Sequence, residues 1–259
     1  MLKFSANITM MWTEIKDPIE RIQAAKDAGF KAVELIFIYD LDLDRLVNET
    51  EKTDVMWSVI NIAVGEGVKM GPLVAAAPGK ELAFRENLNA SKKYCAALKP
   101  TALVVPAYTP PEGVSKKEAL PVFKENMRIA AEELAEMEIP VIIEALNPEF
   151  RPGCLLTTTE EVMDIVNEIG HPNLGLEYDA YHMYGTEGNM EEMVEKYLPY
   201  IGNIQIADIP GRGEPGTGNI DYDKFLSTLD KIGYDKWVAL EYVPTAGTVE
   251  TLKWMEKWL

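Results

Sequence analysis

A single-domain (β/α)8 barrel is the α/β fold the sequence predicts. Three observations predict it: the chain length, an alternation of short apolar runs with longer amphipathic segments, and polar residues gathered at the ends of the later runs. The 259 residues match the roughly 250 of such a barrel. The apolar runs lie at residues 4–10, 32–37, 57–63, 102–107, 141–146, 174–178, 201–207 and 237–242. Each run has the length of a buried strand, and the intervals can each hold a helix. Strands alternating with helices pair in parallel through right-handed crossovers, and eight repeats suffice to close the sheet on itself. No linker or low-complexity block divides the chain, so residues 1–259 read as one domain.

The intervening segments carry helix start and stop marks. Asp17 is placed to cap the first helix, with Pro18 at its first position, Glu20 three residues after the cap and Gly29 beyond the last turn. Ser115 with Glu118, and Thr157 with Glu160, have capping-box spacing, and Gly170 and Gly233 stand where helices stop before the next strand. The competing architecture, an open doubly wound sheet, lacks its mark, because no G-x-G-x-x-G follows the first run. Gly65, Gly67 and Gly71 are differently spaced and follow the third run. Gly216-Thr217-Gly218 lacks the Lys-Ser/Thr of a phosphate loop. Residues 64–78 form a long connection, with the length of an active-site lid or of a surface excursion.

Composition removes several classes of function. A net charge of −17 and a pI near 4.6 argue against a nucleic-acid partner, since phosphate binding needs clustered Lys and Arg. Small anionic substrates stay open, because one or two basic groups in a cleft serve them. Two cysteines, Cys95 and Cys154, make neither a disulfide framework nor a metal motif, which fits a reducing cytoplasm. Ser5, Asn7, Thr9 and Thr13 interrupt the N-terminal apolar stretch, and no 18-residue apolar run exists, so neither a secretory leader nor a membrane span is expected. The C-terminal residues 254–259 read as the apolar face of a last helix and also offer a surface for a homo-oligomeric contact.

With only His171 and His182 present, any metal site must be built mainly from oxygen ligands. In a (β/α)8 barrel the active site lies at the C-terminal ends of the strands. Four consecutive runs end in polar groups there: Glu144 in the fifth, Asp179 after the sixth, Gln205 in the seventh and Glu241 in the eighth. Glu144 and Glu241 each follow three apolar residues. A carboxylate so placed must be paired, neutralised or coordinated, because burying it bare costs several kcal/mol. Two such groups in one barrel also repel each other, and a shared cation removes both difficulties. Three carboxylates and an amide oxygen suit Mg2+ or Mn2+; Zn2+ is less favoured without cysteine or a histidine pair. The alternative for any one of them is an ordinary ion pair or a place beyond the rim. His182 reads as a rim histidine on its own, and beside Asp179 as a substrate-binding group. Arg212 lies between two Pro-Gly pairs, fixed so as to grip a substrate carboxylate or, alternatively, to brace the loop through Glu214.

The stretch from Asn203 to Tyr222, N-I-Q-I-A-D-I-P-G-R-G-E-P-G-T-G-N-I-D-Y, closely resembles the hydroxypyruvate isomerase family of xylose-isomerase-like TIM barrels. The resemblance extends through Glu144–Asn147, Tyr178–His182, Leu240–Tyr242, Ala6–Glu14, Ala28–Glu34 and Ala77–Lys80, nearly the whole chain. It departs at Ala145, where proline is usual, at Gly213, where histidine is common, and at Glu149, where arginine is common. The resemblance implies one divalent metal held by Glu144, Asp179, Gln205 and Glu241, with Glu144 and Glu241 as the acid/base pair and His182 and Arg212 on the substrate. It implies interconversion of hydroxypyruvate and tartronate semialdehyde by proton transfer through an enediolate. Relatives of the family leave open a 2-oxo-tetronate or ketose substrate and a three-zinc endonuclease, and a non-catalytic metal- or sugar-binding barrel is a further alternative. The endonuclease needs many histidines and a basic face.

Overall fold

The computed structural model describes residues 1–64 and 73–258, and its eight strands form a closed parallel barrel in chain order. Strand β1 (Lys3–Asn7) leads through α1 (Glu20–Asp27) to β2 (Ala32–Leu35), α2 (Leu43–Thr53) and β3 (Met56–Asn61). Helix α3 (Glu81–Leu98) precedes β4 (Ala102–Pro106), α4 (Lys116–Ala135) precedes β5 (Val141–Glu144), and α5 (Thr159–Ile169) precedes β6 (Leu174–Asp179). Two helices, α6 (Ala180–Thr186) and α7 (Met190–Tyr197), connect β6 to β7 (Ile201–Ile206). Then α8 (Tyr222–Lys231) leads to β8 (Trp237–Leu240) and a 3-10 segment, Thr248–Lys257, follows. The barrel closes where β8 pairs with β1, Phe4 opposite Val238.

All eight apolar runs are strands, but most ladders stop before the runs do. Ile8, Ile62, Ala145 and Tyr242 lie past the last paired residue and are still buried. Two of them still bond to the neighbouring strand, Ile8 N to the Glu34 carbonyl at 2.9 Å and Ile62 N to that of Val104 at 2.8 Å. The Ser115–Glu118 capping box forms as its spacing predicts, and Gly170 ends α5 in the left-handed conformation. Two caps differ from expectation. Asp17 accepts the Ile19 N–H at 3.0 Å in a turn ahead of α1, which starts at Glu20. Thr158 caps α5 one residue after Thr157, whose own N–H goes to Glu161.

Of the long connection at 64–78, residues 65–72 lie outside the described residues. Residues 73 and 75–77 are buried, and Asn126 of α4 donates to the Ala75 carbonyl at 2.8 Å, so this part packs against the barrel and is not a surface excursion. The C-terminal segment is 3-10, with Trp254 edge-on to Phe4 at 5.8 Å. Among the described residues no helix is long and apolar enough to cross a membrane.

The barrel interior divides into two halves. Val59 of β3, Ala102 and Val104 of β4 and Ile142 of β5 form an apolar cluster apart from the main core. Ile142 reaches across to β7, where a Cβ on Gly202 would lie 2.5 Å from its Cγ2. Side chains two apart on a strand share a face. Glu144 therefore follows Ile142 on the inner face, one step nearer the C-terminal end. On β6, β7, β1 and β2 the inner face carries buried polar residues: Glu177 and Asp179, Asn203 and Gln205, Ser5 and Asn7, and Glu34.

Candidate active site

The C-terminal ends of β5 to β8 bring the four sequence-predicted ligands to one side of the barrel, all buried: Glu144, Asp179, Gln205 and Glu241. Register does part of this, since Asp179 lies directly opposite Gln205 in the β6–β7 ladder. Asp179 also turns the chain from strand into helix. Its Oδ1 accepts the N–H groups of Tyr181 at 2.8 Å and His182 at 3.2 Å, capping α6. One carboxylate oxygen is thereby spent on the backbone, and the other, Oδ2, has no hydrogen-bond partner.

That capped turn carries His182 into the acids. Its Nε2 lies 3.6 Å from Asp179 Oδ2 and 3.8 Å from Glu144 Oε1. Glu144, Asp179 and His182 each offer a ligand atom, all within 4.8 Å of one another, and the buried trio could hold a metal ion. The fit extends further. Gln205 Oε1 and Asp179 Oδ2 are buried without a hydrogen-bond partner, and such hard oxygens beside one neutral imidazole could serve a divalent cation as donors. Burial drives the His182 pKa down to about 3, helped by the nearby Arg212 charge, so the imidazole is neutral and able to ligate.

Burial is the largest influence on the carboxyls, and it pushes Glu144, Asp179 and Glu241 above their ordinary values. For Glu144, repulsion from Glu241 and Asp179 adds to it. Arg212 acts in the opposite direction on all three. Its Nη2 lies 2.8 Å from Glu241 Oε2 and 3.6 Å from Asp179 Oδ2. Burial opposes the guanidinium charge, but Glu241, Asp179 and Glu144 together outweigh burial and raise its pKa. The guanidinium packs against the rings of Phe150 and Tyr181, 4.9 Å and 5.0 Å from their centres, and the two rings meet edge-to-face 6.1 Å apart.

The Arg212 loop is tied to the strand below it. Asp208 Oδ1 accepts from Ile209 N and Ile220 N, and Oδ2 from Gly216 N. A Cβ on Gly218 would sit 2.3 Å from the Ile209 carbonyl, which is why the turn takes glycine there. Arg212 adopts a left-handed φ of 57°. The Glu214 partnership considered for Arg212 does not form: Glu214 instead accepts from Thr245 N and Oγ1, at 3.1 Å and 2.6 Å.

Sequence reasoning passed over two buried acids, Glu34 on β2 and Glu177 on β6. Glu177 accepts from Asn203 at 2.9 Å, and Glu34 accepts from Asn7 and Gln205. Both carry the signal that singled out Glu144, a carboxylate within an apolar run. The alternation of Glu177 with Asp179 also marks a shared inward face.

Comparison with known proteins follows the same outline. The model of the xylose isomerase-like TIM barrel family matches residues 22–258. The chain belongs to that family. The hydroxypyruvate isomerase of Escherichia coli is 34% identical to this xylose isomerase-like barrel over 256 residues, 99% of each chain. The 2-oxo-tetronate isomerase of Pectobacterium atrosepticum is 32% identical, covering 100% of this chain and 98% of its own. A solved structure described as AP endonuclease, family 2, from Brucella melitensis superposes with a TM-score of 0.92 at 32% identity, covering 100% of this barrel and 99% of that chain. The resemblance to hydroxypyruvate isomerases carried by the Asn203–Tyr222 stretch therefore extends along the whole chain.

Proposed function

We propose that this barrel is a metal-dependent isomerase of small hydroxy-keto acids, with hydroxypyruvate as the first candidate substrate. The observation that carries the proposal is the buried cluster at the strand ends. Glu144, Asp179 and Glu241 meet there with one cationic side chain, Arg212, and with buried acceptors still unpaired. Glu144, Asp179, Gln205 and Glu241 would hold the cation, with His182 near enough to Glu144 and Asp179 to join them. Mg2+ or Mn2+ suits the oxygen-rich set better than Zn2+. When bound, it supplies Lewis-acid stabilisation of charge developing on substrate oxygens.

The chain's own groups account for the rest. Isomerisation requires a base that takes a proton from one carbon and returns it to the next. Glu144 and Glu241 stand on β5 and β8, and burial raises both carboxyls toward the range in which a group can hold and release a proton near neutral pH. Arg212 already grips a carboxylate in Glu241, so the substrate's carboxylate is the group its guanidinium would recognise. Phe150 and Tyr181 pack against it as cation–π partners and help to hold it in place. A nuclease reading finds no such support, since a chain of net charge −17 lacks the basic surface that phosphate binding needs.

The test is an isomerase assay with Mn2+ or Mg2+ across hydroxypyruvate, 2-oxo-tetronates and common ketoses. Turnover is expected on a 2-oxo acid and loss of turnover in excess chelator. Full activity of protein verified as metal-free would refute the cation, and turnover of neutral ketoses alone would refute the acid substrate.

A further inference from the structure

We infer that Glu34 is a positioning residue that fixes the Gln205 side-chain amide with its oxygen turned toward the cation site. The inference rests on the proposed metal reading and is carried by a hydrogen-bond relay spanning β1, β2 and β7. Asn7 Oδ1 accepts the Thr9 N–H at 2.9 Å, which settles which end of the Asn7 amide is oxygen. Asn7 must then present its NH2 to Glu34, and the Nδ2 to Oε1 distance is 2.7 Å. Glu34 Oε1 is therefore an acceptor, and it receives a second donor, Gln205 Nε2, at 3.1 Å. The Gln205 amide can face Glu34 only with its nitrogen. Its Oε1 is left buried and unpartnered, on the residue directly opposite Asp179.

Nothing in the fold alone calls for an acid at position 34. The residue is 2% exposed and, among the described residues, has no basic partner, its hydrogen bonds coming from the amides of Asn7 and Gln205. The barrel interior accepts apolar side chains elsewhere, as Val59 and Ile142 show. An apolar residue at 34 would avoid the desolvation, leave Asn7 Nδ2 without its acceptor and release the Gln205 amide. A glutamine ligand has one oxygen and one NH2 at nearly the same place, so half of its orientations present the wrong atom to a cation.

The experiment is Mn2+ titration by calorimetry, together with melting temperatures in chelator, for the wild type, Glu34→Met, Glu34→Gln, Gln205→Ala and Glu34→Met/Gln205→Ala. Glu34→Met is expected to bind Mn2+ about 10- to 100-fold more weakly. Glu34→Gln keeps a carbonyl for both donors and should stay within about threefold of wild type. In the Gln205→Ala background Glu34→Met should cost nothing further, because its effect runs through that amide. Glu34→Ala replaces the methionine variant if the latter fails to fold. Unchanged affinity in the apolar variants, or losses that multiply in the double mutant, would overturn the inference while the metal reading stands. Absence of Mn2+ binding by the wild type would overturn both.

Discussion

At the N-terminal end of the barrel a cavity of about 570 Å³ is lined by Lys3, Thr101, His171, Asn173 and Lys236 among others; the opposite end is crowded with acids. At the open end, polar groups find partners in the fold itself. Lys3 Nζ donates to the Asp235 carbonyl at 2.7 Å, Lys236 to that of Ile201, and Asn173 Nδ2 to those of Ala131 and Ile139. At the acidic end Asp179 Oδ2, His182 Nδ1, Gln205 Oε1 and Glu34 Oε2 make no hydrogen bond, although Arg212 Nη2 lies 3.6 Å from Asp179 Oδ2. A hollow whose polar groups reach solvent or bond within the fold needs no occupant. A tight layer of unsatisfied acceptors holds free energy that an occupant can recover. The proposed chemistry is therefore placed at the crowded end, and substitutions at the two ends can break that proposal.

The largest effect is expected at the acidic end. Glu144→Gln and Glu241→Gln keep size and shape and remove the proton-carrying group, so kcat should fall by about 10²- to 10⁴-fold. Steady-state kinetics at saturating metal measures this. The two variants also separate roles, because Glu241 is the partner of Arg212 and Glu144 is not. Glu241→Gln should raise KM as well as lower kcat, and wild-type kcat in either variant would remove that residue from the reaction.

A smaller effect concerns pH. Burial raises Glu34, Glu144, Asp179 and Glu241 in the folded protein. Between the ordinary carboxylate values, about 4, and these higher ones, the metal-free folded state binds more protons than the unfolded chain. Its stability is thus fully present at acid pH and is lost as pH rises from there through neutral. The melting temperature of the chelated protein should fall between about pH 5 and 8, with a shallower fall in Glu144→Gln. Added Mn2+ should restore it most at the alkaline end, where the ligands are already deprotonated. A chelated protein that melts at the same temperature across this range would mean that the acids are compensated within the fold, and that the two ends do not differ as described.

Much of this difference was legible in the sequence. The eight runs became eight strands, and Glu144, Asp179, Gln205 and Glu241 were readable because a polar side chain inside an apolar run has few inexpensive destinations. Glu34 and Glu177 carry the same signal. Their place depends on which strand face turns inward, which register with a neighbour decides: Asn7 opposite Glu34, and Asn203 opposite Glu177. The Arg212–Glu241 pair was not legible at all. It arises from a loop folded back through Asp208 and a left-handed backbone at Arg212, and local spacing had suggested Glu214 instead. Likewise, the inclusion of His182 among the acids follows from Asp179 capping the first turn of α6.

The smallest effect is the most direct check on the comparison. Lys3 lies on β1, the strand that also carries Asn7, so a functional link between the two ends of the barrel could run through it. Its side chain is exposed and makes one hydrogen bond, to the Asp235 carbonyl. Removing it in Lys3→Ala leaves that carbonyl to solvent and should change stability by no more than about 0.5 kcal/mol. Strand β1 is held on both sides, by β8 at four positions and by β2 at two, so the loss of an exposed ammonium should not propagate to Asn7. kcat/KM and Mn2+ affinity are therefore expected to stay within about twofold of wild type, the scatter ordinary for a surface substitution. A tenfold change in either, with the melting temperature unmoved, would show that the cavity at the N-terminal end is coupled to the acids above it.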